Sequence, residues 1–187
     1  MNQLIEIYKR KIRPKAKEEL AYFINMDSLN QCIYCAAYAI NRSGKRYSHQ
    51  RRLSESVLQE SYQILLKEKD RISQTKSFEE LHSMIRGLLI DIHGIGPLYI
   101  YDTSLRLGGY LGLSPEKVYL HAGTKDGAKA LGLNWRSDYL ELKELPPSLL
   151  VLDPHEIEDF LCIFKDELAG AKYRSDTNHY FKKSGCC

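Results

Sequence analysis

The feature that most constrains the fold is a pair of amphipathic segments joined by the turn His93-Gly94-Ile95-Gly96-Pro97. Before the turn, Ser77-Phe78-Glu79-Glu80 has the form of a capping box, and apolar residues follow it at spacings of three and four. After the turn, a second apolar stretch runs from Leu98 to Leu111 and ends in glycine. These patterns predict two helices joined by a tight turn over about residues 77–111.

Helical periodicity also dominates the rest of the chain, and strand signals are sparse. Pro14 should break or offset a helix that starts near Leu4, because proline lacks a backbone N–H. We expect further helices after Ser28, between Val57 and Leu66, from Thr124 to Leu131, and after Asp153-Pro154. The predicted fold is mainly α, a compact helical bundle with little or no β-structure. We expect one helical domain over residues 1–170 and a basic, flexible C-terminal tail over 171–187.

The composition narrows the class of protein. Of the 187 residues, 43% are hydrophobic and 27% are charged, which excludes disorder throughout the chain. No apolar run approaches the length of a membrane span, and Met1–Glu6 lacks the layout of a signal peptide. We therefore expect a cytoplasmic protein with no membrane role.

Cys32 and Cys35 form a CxxC without a second pair at zinc-site spacing, so we predict core residues, no metal and no cofactor.

Charge is distributed unevenly along the chain, although the net charge is only +3. Residues 9–17 contain six basic side chains and no acid, and residues 42–52 contain five more basic side chains. Residues 141–168 reverse this balance, with eight acids against two lysines. Such segregation can create a basic face for a polyanion. The alternative is that both basic runs are solvated surface.

The turn Gly94-Ile95-Gly96 between two amphipathic helices resembles the hairpin of helix-hairpin-helix DNA-binding proteins. In that family the hairpin and the start of the next helix hold a phosphate with backbone N–H groups. The resemblance implies binding through Gly94, Ile95 and Gly96. The sequence departs from the family at Leu98 and Ile100, where a basic and a small residue are usual. In the alternative interpretation, the glycines only turn one core helix into the next.

The segment Tyr101-Asp102-Thr103-Ser104-Leu105-Arg106 resembles the Asp-Thr segment of helix-hairpin-helix DNA glycosylases. That resemblance implies that Asp102 is a catalytic carboxylate, and His121 is a candidate acid or base beside it. The alternative is a helical carboxylate paired with Arg106 one turn later. Together with the later Val-Tyr-Leu-His-Ala-Gly-Thr segment, the motif is also similar to a pattern in uncharacterised bacterial proteins, which implies no function.

Two further segments are candidates for phosphate binding. The polar loop over residues 41–52 combines cations with an aromatic ring, which suits a sugar-phosphate backbone. Its candidate contacts are Arg42, Lys45, Arg46, Tyr47, His49, Arg51 and Arg52. The second segment is the glycine turn at His121–Gly123, where a short predicted helix begins with Thr124 and Lys125.

These features favour a protein that binds DNA or another nucleic acid through its phosphates, largely without sequence preference, in DNA repair, processing or defence. One alternative is a glycosylase-like or nuclease-like enzyme that acts on DNA with Asp102. Another is a subunit of a protein assembly with no nucleic-acid role. In that case the acidic C-terminal helix over 153–169 would dock on a protein partner through Phe160 and Phe164.

Overall fold

Side-chain caps define where several helices begin, as the sequence predicts. In the computed structural model, which describes residues 1–171, the Ser28 hydroxyl accepts from the N–H of Gln31 (3.3 Å). The Ser77 hydroxyl accepts from the N–H of Glu80 (3.1 Å). Asp153 and the residue three positions later form a reciprocal capping box. Each bond satisfies an N–H group that a helix start would otherwise leave without a partner.

The described part of the chain is mainly α-helical, which confirms the predicted fold class. Its one pair of strands consists of β1 (Val118–Tyr119) and β2 (Tyr139–Leu140), which run antiparallel with Val118 opposite Leu140. The α-helices are α1 (Asn2–Ile7), α2 (Arg13–Ile24), α3 (Leu29–Ala37), α4 (Glu55–Lys67), α5 (Lys69–Gln74), α6 (Phe78–Leu89), α7 (Pro97–Leu111), α8 (Ala122–Ala130), α9 (Pro154–Ile163) and α10 (Lys165–Leu168).

A π-helical stretch over Tyr8–Ile12 separates α1 from α2. It lies immediately before Pro14, whose ring cannot donate a backbone hydrogen bond and crowds the preceding turn. The wider π-helical turn absorbs this irregularity while the chain remains helical. Pro14 therefore offsets the helix, which is one of the two outcomes that the sequence predicts.

The chain divides into two compact units, each with its own hydrophobic core. The central unit comprises Lys17–Pro115, and the terminal unit comprises Met1–Ala16 with the described residues from Glu116 onward. The single domain expected over 1–170 stays a prediction, since two cores do not determine whether the units unfold together. The basic tail predicted over 171–187 lies outside the described residues beyond Ala171.

The core of the central unit is built by helices that pack around α3 and α7. Helix α3 packs against α4 and α7, and α6 packs against α7. Cys32 and Cys35 are buried free thiols on α3. Burial raises the pKa of the Cys32 thiol to about 12, so this thiol stays protonated and unreactive at neutral pH. The CxxC thus contributes core residues, as predicted.

The core of the terminal unit is built around α9, which packs against α8 and β1. Phe160 and Phe164 are fully buried in this core, so they are not available as the exposed docking residues that one sequence hypothesis requires. The helix is also less acidic at its surface than its sequence suggests. Glu156 is buried, and its two carboxylate oxygens accept from Arg13 at 2.6 and 2.8 Å.

Within residues 1–171, no helix has the length and apolar character that crossing a membrane would need.

Candidate functional site

A buried polar network surrounds Asp102, which lies on the second turn of α7. Three donors converge on the same carboxylate oxygen, Oδ2 of Asp102. His49 Nε2 lies 2.6 Å from it, Gln50 Nε2 lies at 2.7 Å, and a guanidinium nitrogen of Arg106 lies at 3.4 Å. The side chains of Asp102 and His49 are only 8% and 10% exposed. The structure thus brings together two residues that the sequence singled out for different roles.

Arg106 offsets the negative charge of the buried Asp102 carboxylate and forms further contacts of its own. It donates to the Oε1 atom of Gln50 (3.1 Å) and to the carbonyl oxygen of Ala36 (3.4 Å). Its guanidinium also lies over the ring of Tyr47, 4.3 Å from the ring centre. A buried ion pair is stable only when its remaining donors are satisfied in this way. The alternative prediction, that Asp102 pairs with Arg106 one turn later, agrees with this geometry.

Tyr47 extends the network to α2. Its hydroxyl donates to a carboxylate oxygen of Glu19 (3.0 Å). Burial, more than any other cause, raises the pKa of Tyr47 far above its ordinary value, so the hydroxyl remains a neutral donor. The loop over residues 41–52 is therefore fixed to α2 and α7 through Tyr47, His49 and Gln50.

The start of this loop is closed by local hydrogen bonds. The Asn41 side chain accepts from the N–H groups of Ser43 (2.9 Å) and Lys45 (3.1 Å). An isolated β-bridge pairs Ile40 with Arg46. Asn is favoured in such turns because its side chain can satisfy backbone N–H groups two to four residues later. The loop is consequently a structured element that can hold side chains in defined positions.

The basic residues of the loop divide into two groups. Arg42 forms ion pairs with Glu18 (2.7 Å) and Glu19 (3.4 Å), and Arg46 pairs with Glu55 (2.7 Å). Nearby carboxylates thus offset these two positive charges. Lys45, Arg51 and Arg52 are exposed, and they form the second group. This second group is the part of the predicted basic loop that can meet a ligand.

The connection between α6 and α7 presents its glycine backbone to solvent. Ile92 and Ile95 are buried and hold the turn on the core, whereas His93 and Gly94 are exposed. Gly94 has a φ of +98°, a conformation that side chains other than glycine rarely adopt. Gly96 is the N-cap of α7, and no described side chain caps the first turn of this helix. Because Pro97 has no N–H, the N–H groups of Leu98 and Tyr99 are the ones left for an external acceptor.

The glycine turn packs against the segment that directly follows the exposed arginines. A β-carbon placed on Gly94 would be 3.9 Å from Val57 and 4.0 Å from Leu53. Leu53 directly follows Arg51 and Arg52 in the chain. We call the exposed residues Arg51, Arg52, His93 and Gly94, together with the partly exposed Gly96, the hairpin face. Two segments that are about forty residues apart in the sequence thus meet in the central unit.

The other predicted site residues belong to the terminal unit. Thr124 is fully buried, and its hydroxyl donates to Glu158 (2.6 Å), so it does not offer a donor to a phosphate. Lys125 is part of an exposed ion pair with Asp138 (3.9 Å). His121 is the N-cap residue of α8. Within the central unit, the histidine that contacts Asp102 is His49, and the role of His121 as an acid or base stays a prediction.

One group of metal-ligand types occurs at the start of α9. Ligand atoms of Asp153, His155 and Glu156 lie within 4.8 Å of one another. However, both oxygens of Glu156 accept from Arg13, and one also accepts from the N–H of Asp153. A capping box combined with an ion pair explains this group, and we do not assign it to a metal.

Gln50 is the member of the network that sequence reasoning missed. It is buried within a loop whose composition is polar and basic, and such loops are normally solvated. Local composition does not show that Tyr47, His49 and Gln50 turn inward. A comparison of the chain with protein-family models, curated proteins and solved structures found no match.

Proposed function

We propose that the central unit binds nucleic acid through the phosphate backbone, largely without sequence preference, and that the hairpin face is the contact surface. The observation that carries this proposal is the contact of Gly94 with the residues that follow Arg51 and Arg52. It brings two independent types of phosphate ligand onto one surface.

The backbone N–H groups of α7 and the side chains of Arg51 and Arg52 both favour the binding of a phosphate. The uncapped start of α7 offers backbone N–H groups and the positive end of a helix dipole, which favour an anion. Arg51 and Arg52 add charged donors that suit phosphate geometry. None of these groups reads a base edge, so they fix a backbone without specifying a sequence. The buried anchor formed by Asp102, His49 and Gln50 holds the arginine-bearing turn beside the glycines.

The first test is fluorescence anisotropy with labelled DNA and RNA over a salt series. We expect the variant Arg51→Glu/Arg52→Glu to bind more weakly and to reduce the log–log salt slope by about 2, since each phosphate contact contributes about 0.9. The matched control, Lys67→Glu/Arg71→Glu, changes the net charge equally at exposed positions of the same unit. If the control weakens binding as much, or if the wild type binds nothing at low salt, the proposal is wrong.

A second test addresses the backbone N–H groups of α7 through two substitutions of Gly96. No atom lies within 4 Å of a β-carbon at this position, so both Gly96→Ala and Gly96→Asp should fold. Asp is a favourable N-cap, but its carboxylate would occupy the N–H groups and repel a phosphate. We expect Gly96→Asp to lose binding while Gly96→Ala retains most of it. Equal binding by both variants would remove the start of α7 from the contact surface.

A second candidate function is an enzyme that acts on nucleic acid, and the 2.6 Å contact between His49 and Asp102 favours it. A carboxylate that accepts from Nε2–H orients the imidazole and stabilises its protonated form, which is how histidine is prepared for acid–base work. In this candidate His49 is the acid–base partner of Asp102 within the central unit.

The enzyme candidate predicts that wild-type protein converts intact, damaged or abasic DNA into new products on a denaturing gel. We expect His49→Gln to abolish this turnover while the circular dichroism spectrum stays unchanged. If the wild type releases no product from any of these substrates, Asp102 and His49 serve to anchor the loop only.

A further inference from the structure

Three tyrosines form an aromatic cluster on the surface of the central unit. Tyr34 lies on α3, Tyr38 is the C-cap residue of the same helix, and Tyr62 lies on α4. The ring centres of Tyr34 and Tyr38 are 4.8 Å apart, those of Tyr34 and Tyr62 are 5.5 Å apart, and those of Tyr38 and Tyr62 are 5.8 Å apart. Each ring therefore contacts the other two.

Tyr34 is the exposed member of this cluster. It retains 43% of its surface exposed, whereas Tyr38 and Tyr62 are partly buried against the core. Ring separations near 5 Å are those of direct aromatic contact and leave no space for a ligand between the rings. A ligand can only contact the outside of the cluster, where Tyr34 presents a ring that its two neighbours hold in place.

The tyrosine cluster adjoins the basic loop. Tyr38 lies two residues before Ile40, which pairs with Arg46, and Arg46 in turn forms the ion pair with Glu55 of α4. The pKa of Tyr38 is raised, first by desolvation and next by Glu55, while Arg46 opposes the increase. The same loop continues to the exposed cations Lys45, Arg51 and Arg52.

We propose that Tyr34 is a stacking platform for an unpaired base, so that the ligand of the central unit is single-stranded nucleic acid. This inference rests on the proposed function and specifies its ligand. A positively charged surface with an adjoining exposed aromatic ring is the combination that binds single strands. In a duplex the faces of internal bases are already stacked, so only an unpaired base can lie on Tyr34.

The experiment compares three labelled ligands of equal length, about 12 nucleotides, which lies within the usual range of site sizes. They are a mixed-sequence single strand, an abasic oligomer with the same number of phosphates, and a blunt duplex. We expect the wild type to bind the single strand most tightly. Tyr34→Ala should weaken binding of the single strand by about 5- to 100-fold, which corresponds to the loss of one stacked base, and should leave the abasic oligomer unaffected.

Two variants control for structure and for the loss of any exposed tyrosine. Tyr34→Trp keeps an aromatic face and should retain the preference for the single strand. Tyr139→Ala removes a tyrosine of similar exposure, 39%, from the terminal unit and should change no affinity. Circular dichroism and thermal unfolding establish that each variant is folded.

The outcomes separate the two proposals. If Tyr34→Ala binds every ligand as the wild type does, while Arg51→Glu/Arg52→Glu weakens them all, the stacking inference is wrong and backbone binding stands. A wild type that prefers the duplex also contradicts the inference. If the wild type binds none of the three ligands, the proposed function fails, and the tyrosine cluster must serve another type of partner.

Discussion

Helix α7 begins just after a glycine-containing turn, whereas α8 carries Gly123 within its first turn, and the sequence predicts an anion site at the start of each. In α7 the turn glycines are accessible: Gly94 is exposed, and nothing lies within 4 Å of a β-carbon on Gly96. In α8 the glycines serve close packing, because a β-carbon on Gly123 would collide with Cys162 and one on Gly127 with the backbone of Leu161, both on α9. Similar glycine-containing segments therefore serve an open turn in α7 and close helix packing in α8.

The two helices also differ in whether their charged side chains are buried or exposed. Helix α7 buries Asp102 and Arg106 in a network that anchors a loop. Helix α8 keeps its carboxylate Asp126 at the surface, 66% exposed, where it pairs with Lys165 at 3.4 Å. Helix α7 thus holds a buried polar network, whereas α8 packs closely against the backbone of α9. Stability measurements on matched substitutions in the two helices test this difference.

The largest effect is expected from Asp102→Ala. The substitution leaves the guanidinium of Arg106 buried without its carboxylate, and breaking a buried pair in this way costs about 3–5 kcal/mol. The matched change on α8, Asp126→Ala, removes an exposed ion pair that contributes at most about 1 kcal/mol. Urea unfolding followed by circular dichroism measures both values. Equal losses would show that the Asp102 network stabilises the protein no more than a surface pair does.

Next in size is the effect of Gly127→Ala. The new methyl group would collide with the backbone of Leu161, which cannot move aside as a flexible side chain could, so we expect a loss of about 3 kcal/mol. In contrast, Gly96→Ala should change stability by less than about 1 kcal/mol, because the site is open and the φ of −116° suits alanine. The midpoints of thermal unfolding report both effects. A tolerated Gly127→Ala would refute close packing as the reason for this glycine.

Local signals made much of the fold predictable. Ser28, Ser77 and Asp153 cap helices where the sequence places them. Gly112, in the left-handed conformation with φ 72°, ends α7 as predicted. These signals depend on hydrogen bonds between residues three or four positions apart, so they can be read without knowing the tertiary structure.

The arrangement of the candidate site depends on long-range contacts, and for that reason the sequence did not show it. Asp102 is 53 residues from His49, and no local pattern specifies that pairing. The exposed pair Arg51 and Arg52 and the turn at Gly94 were both predicted as phosphate contacts, but their proximity follows only from the packing of Leu53 and Val57. Phe160 shows the same limit, since a phenylalanine on an acidic helix can face a partner or the core.

The smallest expected effect is a pH dependence of stability, which arises from the aromatic residues that pack against α7. His82 of α6 stacks on Phe78 (6.1 Å between ring centres) and meets Tyr101 of α7 edge-on (6.4 Å). Burial, assisted by Arg86, lowers the pKa of His82 from 6.5 to about 4. Between these two values the unfolded chain binds a proton that the native protein does not, so stability is full above pH 6.5 and falls as the pH decreases.

Because His82 is partly exposed, we expect this loss to be about 1 kcal/mol between pH 7 and pH 5. Urea unfolding at both pH values measures it. The variant His82→Leu keeps the apolar contact with Phe78 and should show a smaller decrease, whereas His93→Gln, at an exposed position of the hairpin face, should decrease as the wild type does. If His82→Leu loses as much stability at pH 5 as the wild type, the pH dependence arises from another group, and the packing against α7 does not hold this histidine neutral.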